Sequence, residues 1–194
     1  ALEEALKQSG KYRRRLIVTD KVFSMDGDVA PMAAIIELAK RYDAWVMVDQ
    51  AHSFGVLDDS DAGVDIQMGT LSKAAGCFGA YVCGKSPLRS YLINHARSFI
   101  YTTALPAAVT EAARAAVNII GSSEGVTLRK KVLSSADYVR QQLKQMGFDT
   151  LQSTTPIIPV ILKDATVAVA VSQQLFKAGI YVSAIRPPTV PANT

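Results

Sequence analysis

Leu16-Ile17-Val18-Thr19 and Trp45-Val46-Met47-Val48-Asp49, with the helical run from Pro31 to Arg41 between them, decide the fold. Each outer run is short, apolar and rich in β-branched residues, the pattern of a buried strand. Met25-Asp26-Gly27-Asp28 is turn chemistry. Pro31 suits a first helical turn, where a missing N–H costs nothing. Met32, Ile35, Ile36 and Ala39 share one helical face, with Glu37, Lys40 and Arg41 elsewhere. Strand, helix, strand is a βαβ unit and predicts a parallel sheet.

Further strands are expected at 65–68 and 80–83. Leu2–Gln8 has the look of a helix end, and helices are expected over 88–97 and 106–120. Gly121-Ser122-Ser123 is a short break and the candidate domain boundary. Beyond it a long amphipathic helix is expected over 124–146, a strand at 156–162, a helix over 166–178 and a strand at 181–184. The fold class is therefore α/β. A parallel-rich sheet with flanking helices occupies residues 1–121, and a small α/β domain follows over 122–194.

Composition agrees with a folded enzyme-sized domain. Of 194 residues, 49% are apolar and 20% charged, which disfavours disorder. No apolar run approaches the ~18 residues that cross a bilayer, so no membrane partner is expected. The net charge of +4 rests partly on Lys11, Arg13, Arg14 and Arg15, beside a single aromatic, Tyr12. A nucleic-acid surface needs a broader basic face or stacking aromatics, so these are taken as a solvated edge. Cys77 and Cys83 match no zinc or redox spacing, and neither His52 nor His95 joins them in a ligand set. Reduced thiols and no targeting segment point to the cytoplasm, and no metal is expected.

In parallel α/β sheets ligands bind at the carboxyl ends of strands. Asp49 with His52, the loop Gly69-Thr70-Leu71-Ser72-Lys73, and Ser24 all fall there. Singly, Asp49 suits a helix cap and His52 a structural histidine equally well. Together they suggest more. Lys73 lies among small residues, where partial shielding from water is expected to lower its pKa and free its amine. A Schiff-base lysine needs that setting. Pyridoxal phosphate would also need a carboxylate for its ring nitrogen, which Asp49 can supply. Thr70 and the N–H groups of its loop can hold a phosphate, and His52 can bond the ring's phenolic oxygen.

The stretch 79–86 (GAYVCGKS) fits the P-loop pattern G-x-x-x-x-G-K-[ST]. A working P-loop follows a strand and keeps a flexible loop between its glycines. Here the middle is strand-like and Pro87 follows at once, so nucleotide binding is the weaker reading.

The chain resembles the α-oxoamine synthases, a branch of the fold-type I pyridoxal phosphate enzymes. The resemblance is carried by 17–28 (IVTDKVFSMDGD), 46–52 (VMVDQAH), 68–74 (MGTLSKA), 96–106 (ARSFIYTTALP) and 184–191 (AIRPPTVP). It implies that Lys73 is the Schiff-base lysine, Asp49 the pyridinium partner, His52 the phenolic-oxygen partner, Ser24 a further contact there and Thr70 a phosphate contact. It also implies that Thr103, or its neighbour Thr102, reaches the phosphate of the other subunit in a homodimer. Arg186 matches an arginine at the active-site mouth. The implied reaction joins an amino acid, L-alanine in the branch most alike, to a pimeloyl thioester of coenzyme A or acyl carrier protein, with loss of carbon dioxide. Glycine C-acetyltransferase chemistry and a non-catalytic dimerising fragment are the alternatives.

Two departures stand out. Position 50 is Gln where the family usually has an acid, and 56–64 is shorter than the family's loop with its Gly-Arg-Gly segment. The family's glycine-rich phosphate turn, its ring-stacking aromatic and a C-terminal Arg-Leu-Arg segment find no match. The chain is thus expected to be a piece of an active enzyme, truncated at both ends and inactive alone.

Overall fold

The computed structural model describes residues 1–58 and 62–191. Among them, strands β1 (Leu16–Asp20), β2 (Trp45–Asp49), β3 (Ile66–Thr70) and β4 (Ala80–Gly84) form one sheet in that order. β1 and β2 are parallel, with Leu16 opposite Trp45 and Asp20 opposite Asp49. β2 and β3 are parallel as well, and Asp49 faces Met68. β4 returns antiparallel to β3, pairing Thr70 with Ala80. The carboxyl ends of β1, β2 and β3 therefore share one edge, and the β3–β4 connection turns over that edge.

Helix α1 (Leu2–Gln8) precedes β1, and α2 (Met32–Arg41) joins β1 to β2. Met32, Ile35, Ile36 and Ala39 are buried, the four positions expected from their spacing. They pack with Leu6, Ile17, Ala30, Val46 and Val48 in one apolar cluster. β1 and β2 were expected to be buried strands, and only one face is. Leu16, Val18 and Trp45 are 51%, 62% and 54% exposed. The cause is the two-residue alternation of a strand: α2 packs on the face of Ile17, Val46 and Val48, and the opposite face stays open.

Helices α3 (Ser86–His95), α4 (Arg97–Ile100), α5 (Ala107–Ile120), α6 (Ser123–Gln145) and α7 (Ala165–Lys177) complete the order. The Ser122 side chain caps α6 and Asp164 caps α7. No helix among the described residues is long and apolar enough to cross a membrane. The strands expected at 156–162 and 181–184 do not form. Pro156 and Pro159 lack the N–H groups a ladder needs, and the two segments do not pair with each other. Neither segment joins the sheet.

Candidate active site

Asp49 ends β2, and its carboxylate accepts the Ala51 N–H at 2.7 Å as the chain turns off the sheet. That turn carries His52. The next strand end supplies the second part of the site. After Thr70 a tight loop is tied by Leu71 N–H to the Gly79 carbonyl (2.9 Å) and Cys77 N–H to the Leu71 carbonyl (2.8 Å). Lys73 lies in that loop. The Thr70 hydroxyl is 2.7 Å from the Ser72 hydroxyl and also accepts the Ser72 N–H at 3.2 Å. Two hydroxyls and turning backbone thus meet at the end of β3.

His52 and Lys73 line one cavity of about 220 Å³, with Ala51 and Ala74 beside them and Thr155, Pro156 and Ile157 as a further wall. Burial pushes the His52 pKa down, and the Lys73 ammonium pushes it the same way. The carboxylates of Asp20 and Asp49 pull it up by less. An amine, an imidazole and carboxylates are therefore close enough to sense one another. Lys73 itself is exposed, against the shielding expected for it. Its small neighbours cover little surface, and the 155–157 wall leaves the amine open to solvent.

The other expected residues are placed less closely. Ser24 lies in the turn after β1 and is half-buried. Thr103 is exposed in the segment before α5, and Arg186 is exposed with one bond to the Ala184 carbonyl, at 3.3 Å. Neither lines the cavity. Asp20 and the 155–157 wall were missed by sequence reasoning. Parallel register would have revealed Asp20, since it ends β1 beside Asp49. No pattern marks 155–157.

A larger hollow of about 580 Å³ holds none of the expected site residues. Gln50, Gly55, Leu57 and Asp58 line part of it, so both departures from the family pattern meet there. The Tyr81 hydroxyl donates to the Gln50 side chain at 3.4 Å. The amine and imidazole line the smaller cavity instead. The P-loop look-alike is settled by β4: residues 80–84 are committed to a ladder with β3 and form no phosphate loop.

A family model for class I and II aminotransferases matches residues 1–194. The chain belongs to that family. It is similar to 8-amino-7-oxononanoate synthase of Geobacter sulfurreducens, 48% identical over 204 aligned positions that cover all of this chain and 52% of the relative. It is also similar to 8-amino-7-oxononanoate synthase 2 of Bacillus subtilis, 47% identical over 97% of this chain and 50% of the relative. The chain thus spans about half the length of these relatives. The Geobacter alignment is ten positions longer than the chain, so that relative holds internal residues with no counterpart here. Among solved structures, SPT with a PLP internal aldimine matches with a TM-score of 0.92 and 30% identity, over 99% of this chain and 51% of that one. The 8-amino-7-oxononanoate synthase of Francisella tularensis matches with a TM-score of 0.77 and 28% identity, over 96% and 58%. The mostly parallel sheet with its flanking helices is part of the fold-type I architecture.

Proposed function

We propose that this chain carries the lysine-bearing part of a pyridoxal-phosphate-dependent 8-amino-7-oxononanoate synthase. The reaction joins L-alanine to a pimeloyl thioester, and releases the thiol and carbon dioxide. The observation that carries the reading is the meeting of Lys73 and His52 in one cavity, with Asp49 at the adjoining strand end. These groups fit the cofactor: an amine to attach it, a carboxylate for its ring nitrogen and an imidazole for its phenolic oxygen. The sequence likeness to the named synthases supports the choice within the family.

Bound pyridoxal phosphate supplies the electron sink for a carbanion at the amino acid's α-carbon. Lys73 would be the point of attachment, and its Nζ, when free, would be the base for the α-proton. Asp49, anchored by the Ala51 N–H, would serve the ring nitrogen and favour its protonated form. Burial, with the Lys73 ammonium acting the same way, lowers the His52 pKa and favours the neutral imidazole. It can thus donate one N–H to an oxyanion. The Thr70 hydroxyl, with the Ser72 hydroxyl 2.7 Å from it, would hold the phosphate. Ser24 adds a contact near His52, Thr103 serves the phosphate of a partner subunit in a homodimer, and Arg186 attracts a substrate carboxylate. The acyl group arrives on coenzyme A or acyl carrier protein, in the cytoplasm.

The test is a visible spectrum of the purified protein with added pyridoxal phosphate, before and after borohydride. A band that reduction traps on Lys73, and that Lys73→Ala abolishes, supports the reading. Label on another lysine overturns the assignment of Lys73. Equal spectra for wild type and variant overturn cofactor attachment by this chain. Thiol release from pimeloyl coenzyme A with alanine, unmatched by glycine, tests the substrate assignment on protein loaded with pyridoxal phosphate and not reduced.

A further inference from the structure

Arg140 lies five residues before the end of α6 and is only 8% exposed. One guanidinium nitrogen donates to the Asp137 carboxylate. Another donates to the Thr155 carbonyl at 2.7 Å. Thr155 is itself 1% exposed. Its hydroxyl donates to the Gly27 carbonyl at 2.9 Å and accepts the Ile157 N–H at 3.3 Å. The Thr154 N–H reaches the same Gly27 carbonyl at 3.2 Å.

Gly27 has φ +68°, left-handed backbone, and a Cβ there would overlap the Ile157 carbonyl oxygen. The turn and the 153–157 segment therefore touch without space for a side chain. The Gly27 N–H closes the turn on the Phe23 carbonyl at 2.8 Å, and Ser24 lies inside it. One chain of buried polar contacts thus runs from α6, through Thr155, to the Ser24 turn. Its middle member begins the wall that faces His52 and Lys73.

We infer that Arg140 and Thr155 are positioning residues: they fix the 155–157 wall and the Ser24 turn against the Lys73–His52 cavity. Among the described residues, their side-chain hydrogen bonds run to Asp137, Gly27 and the 155–157 segment and not to His52 or Lys73. Apolar contact alone does not fix this wall, since Pro156 and Ile157 are only half-buried. Directional bonds to two backbone carbonyls do. The inference concerns the same cavity as the proposed function, but its test uses neither cofactor nor turnover. It can fail while Lys73 labels, and hold while Lys73 does not.

The probe is the His52 imidazole, followed by proton NMR against pH in a His95→Gln background that leaves one histidine. Lys73, Asp20 and Asp49 are the charged groups acting on it. Thr155→Val and Arg140→Met should free the wall and admit water. The His52 pKa should then rise toward the ordinary value, because water relieves the burial that lowers it. Thr155→Ser, which keeps the hydroxyl, should restore the wild-type curve. Ala136→Gly, on the same helix but outside the network, should lower Tm and leave the curve unmoved. If Thr155→Val lowers Tm and His52 titrates as in wild type, the network is merely structural and the inference is overturned. Should Arg140→Met fail to fold, the Val and Ser variants at 155 decide alone.

Discussion

Between Leu6 and Val48 nine apolar side chains bury one another. Beyond Gly121, Ala136 is the one buried apolar side chain among the described residues, and the other buried side chains are polar: Arg140, Thr150, Ser153 and Thr155, with Gly125 buried as backbone. The first region is held by contact that has no preferred direction. The second is held by hydrogen bonds, which fix where a segment lies. The cavity sits between them, with His52 on the turn after β2 and the 155–157 wall opposite. The βαβ unit thus provides a platform, and the polar region sets the distance of the wall from it.

Ile17→Ala is the strongest way to break that contrast. Ile17 lies on the buried face of β1 among Val46, Val48 and the α2 face. The truncation should cost about 2–5 kcal/mol, the usual range for emptying a packed core site. Urea unfolding followed by far-UV circular dichroism measures it, with the slope unchanged. A loss under about 1 kcal/mol would mean that the apolar cluster does not dominate stability.

Ser153→Ala probes the polar side. Ser153 is buried, and its hydroxyl donates to the Ile157 carbonyl. Its removal should cost about 1 kcal/mol, the net worth of one such bond. Hydrogen exchange should quicken at the amides of 154 and 157 and stay unchanged in β2. Equal acceleration in both regions would show that they unfold as one unit, and the contrast would be lost.

This difference also explains what the sequence revealed. The spacing of Met32, Ile35, Ile36 and Ala39 located a helix face because apolar burial repeats with the helical period. The strand ends followed from β-branched runs, and with them Asp49, His52 and Lys73. Polar clamps leave no such period. Arg140 is one charge among many on an amphipathic helix, and its partner Thr155 lies fifteen residues away. Thr155 meets Gly27 across 128 residues. The apolar run 156–162 resembled a strand, but its prolines remove the ladder donors that composition alone does not weigh. Asp20 was hidden for another reason: register, not residue type, sets it beside Asp49.

Acid should separate the two regions by a smaller effect. His52, at the edge of the platform, has a lowered pKa in the folded chain. The unfolded chain therefore takes up a proton first. The contribution is intact above the ordinary histidine pKa of about 6.5 and is lost as pH falls toward the lowered folded value. Asp164, which caps α7, is held below the usual carboxylate range by the N–H groups of Val167 and Thr166. Their distances are 3.0 and 2.7 Å. A carboxyl lowered in the folded state contributes above the ordinary value of about 4, and that contribution is lost as pH falls through the folded value. Amide exchange, corrected for intrinsic rates, should then quicken first around His52 and only below about pH 4 at Thr166 and Val167. Asp164→Asn keeps an acceptor and cannot titrate, so the second step should vanish while the first remains. If both steps persist in that variant, the low-pH change does not come from the α7 cap, and the acid sensitivity of the polar region lies in another carboxyl group.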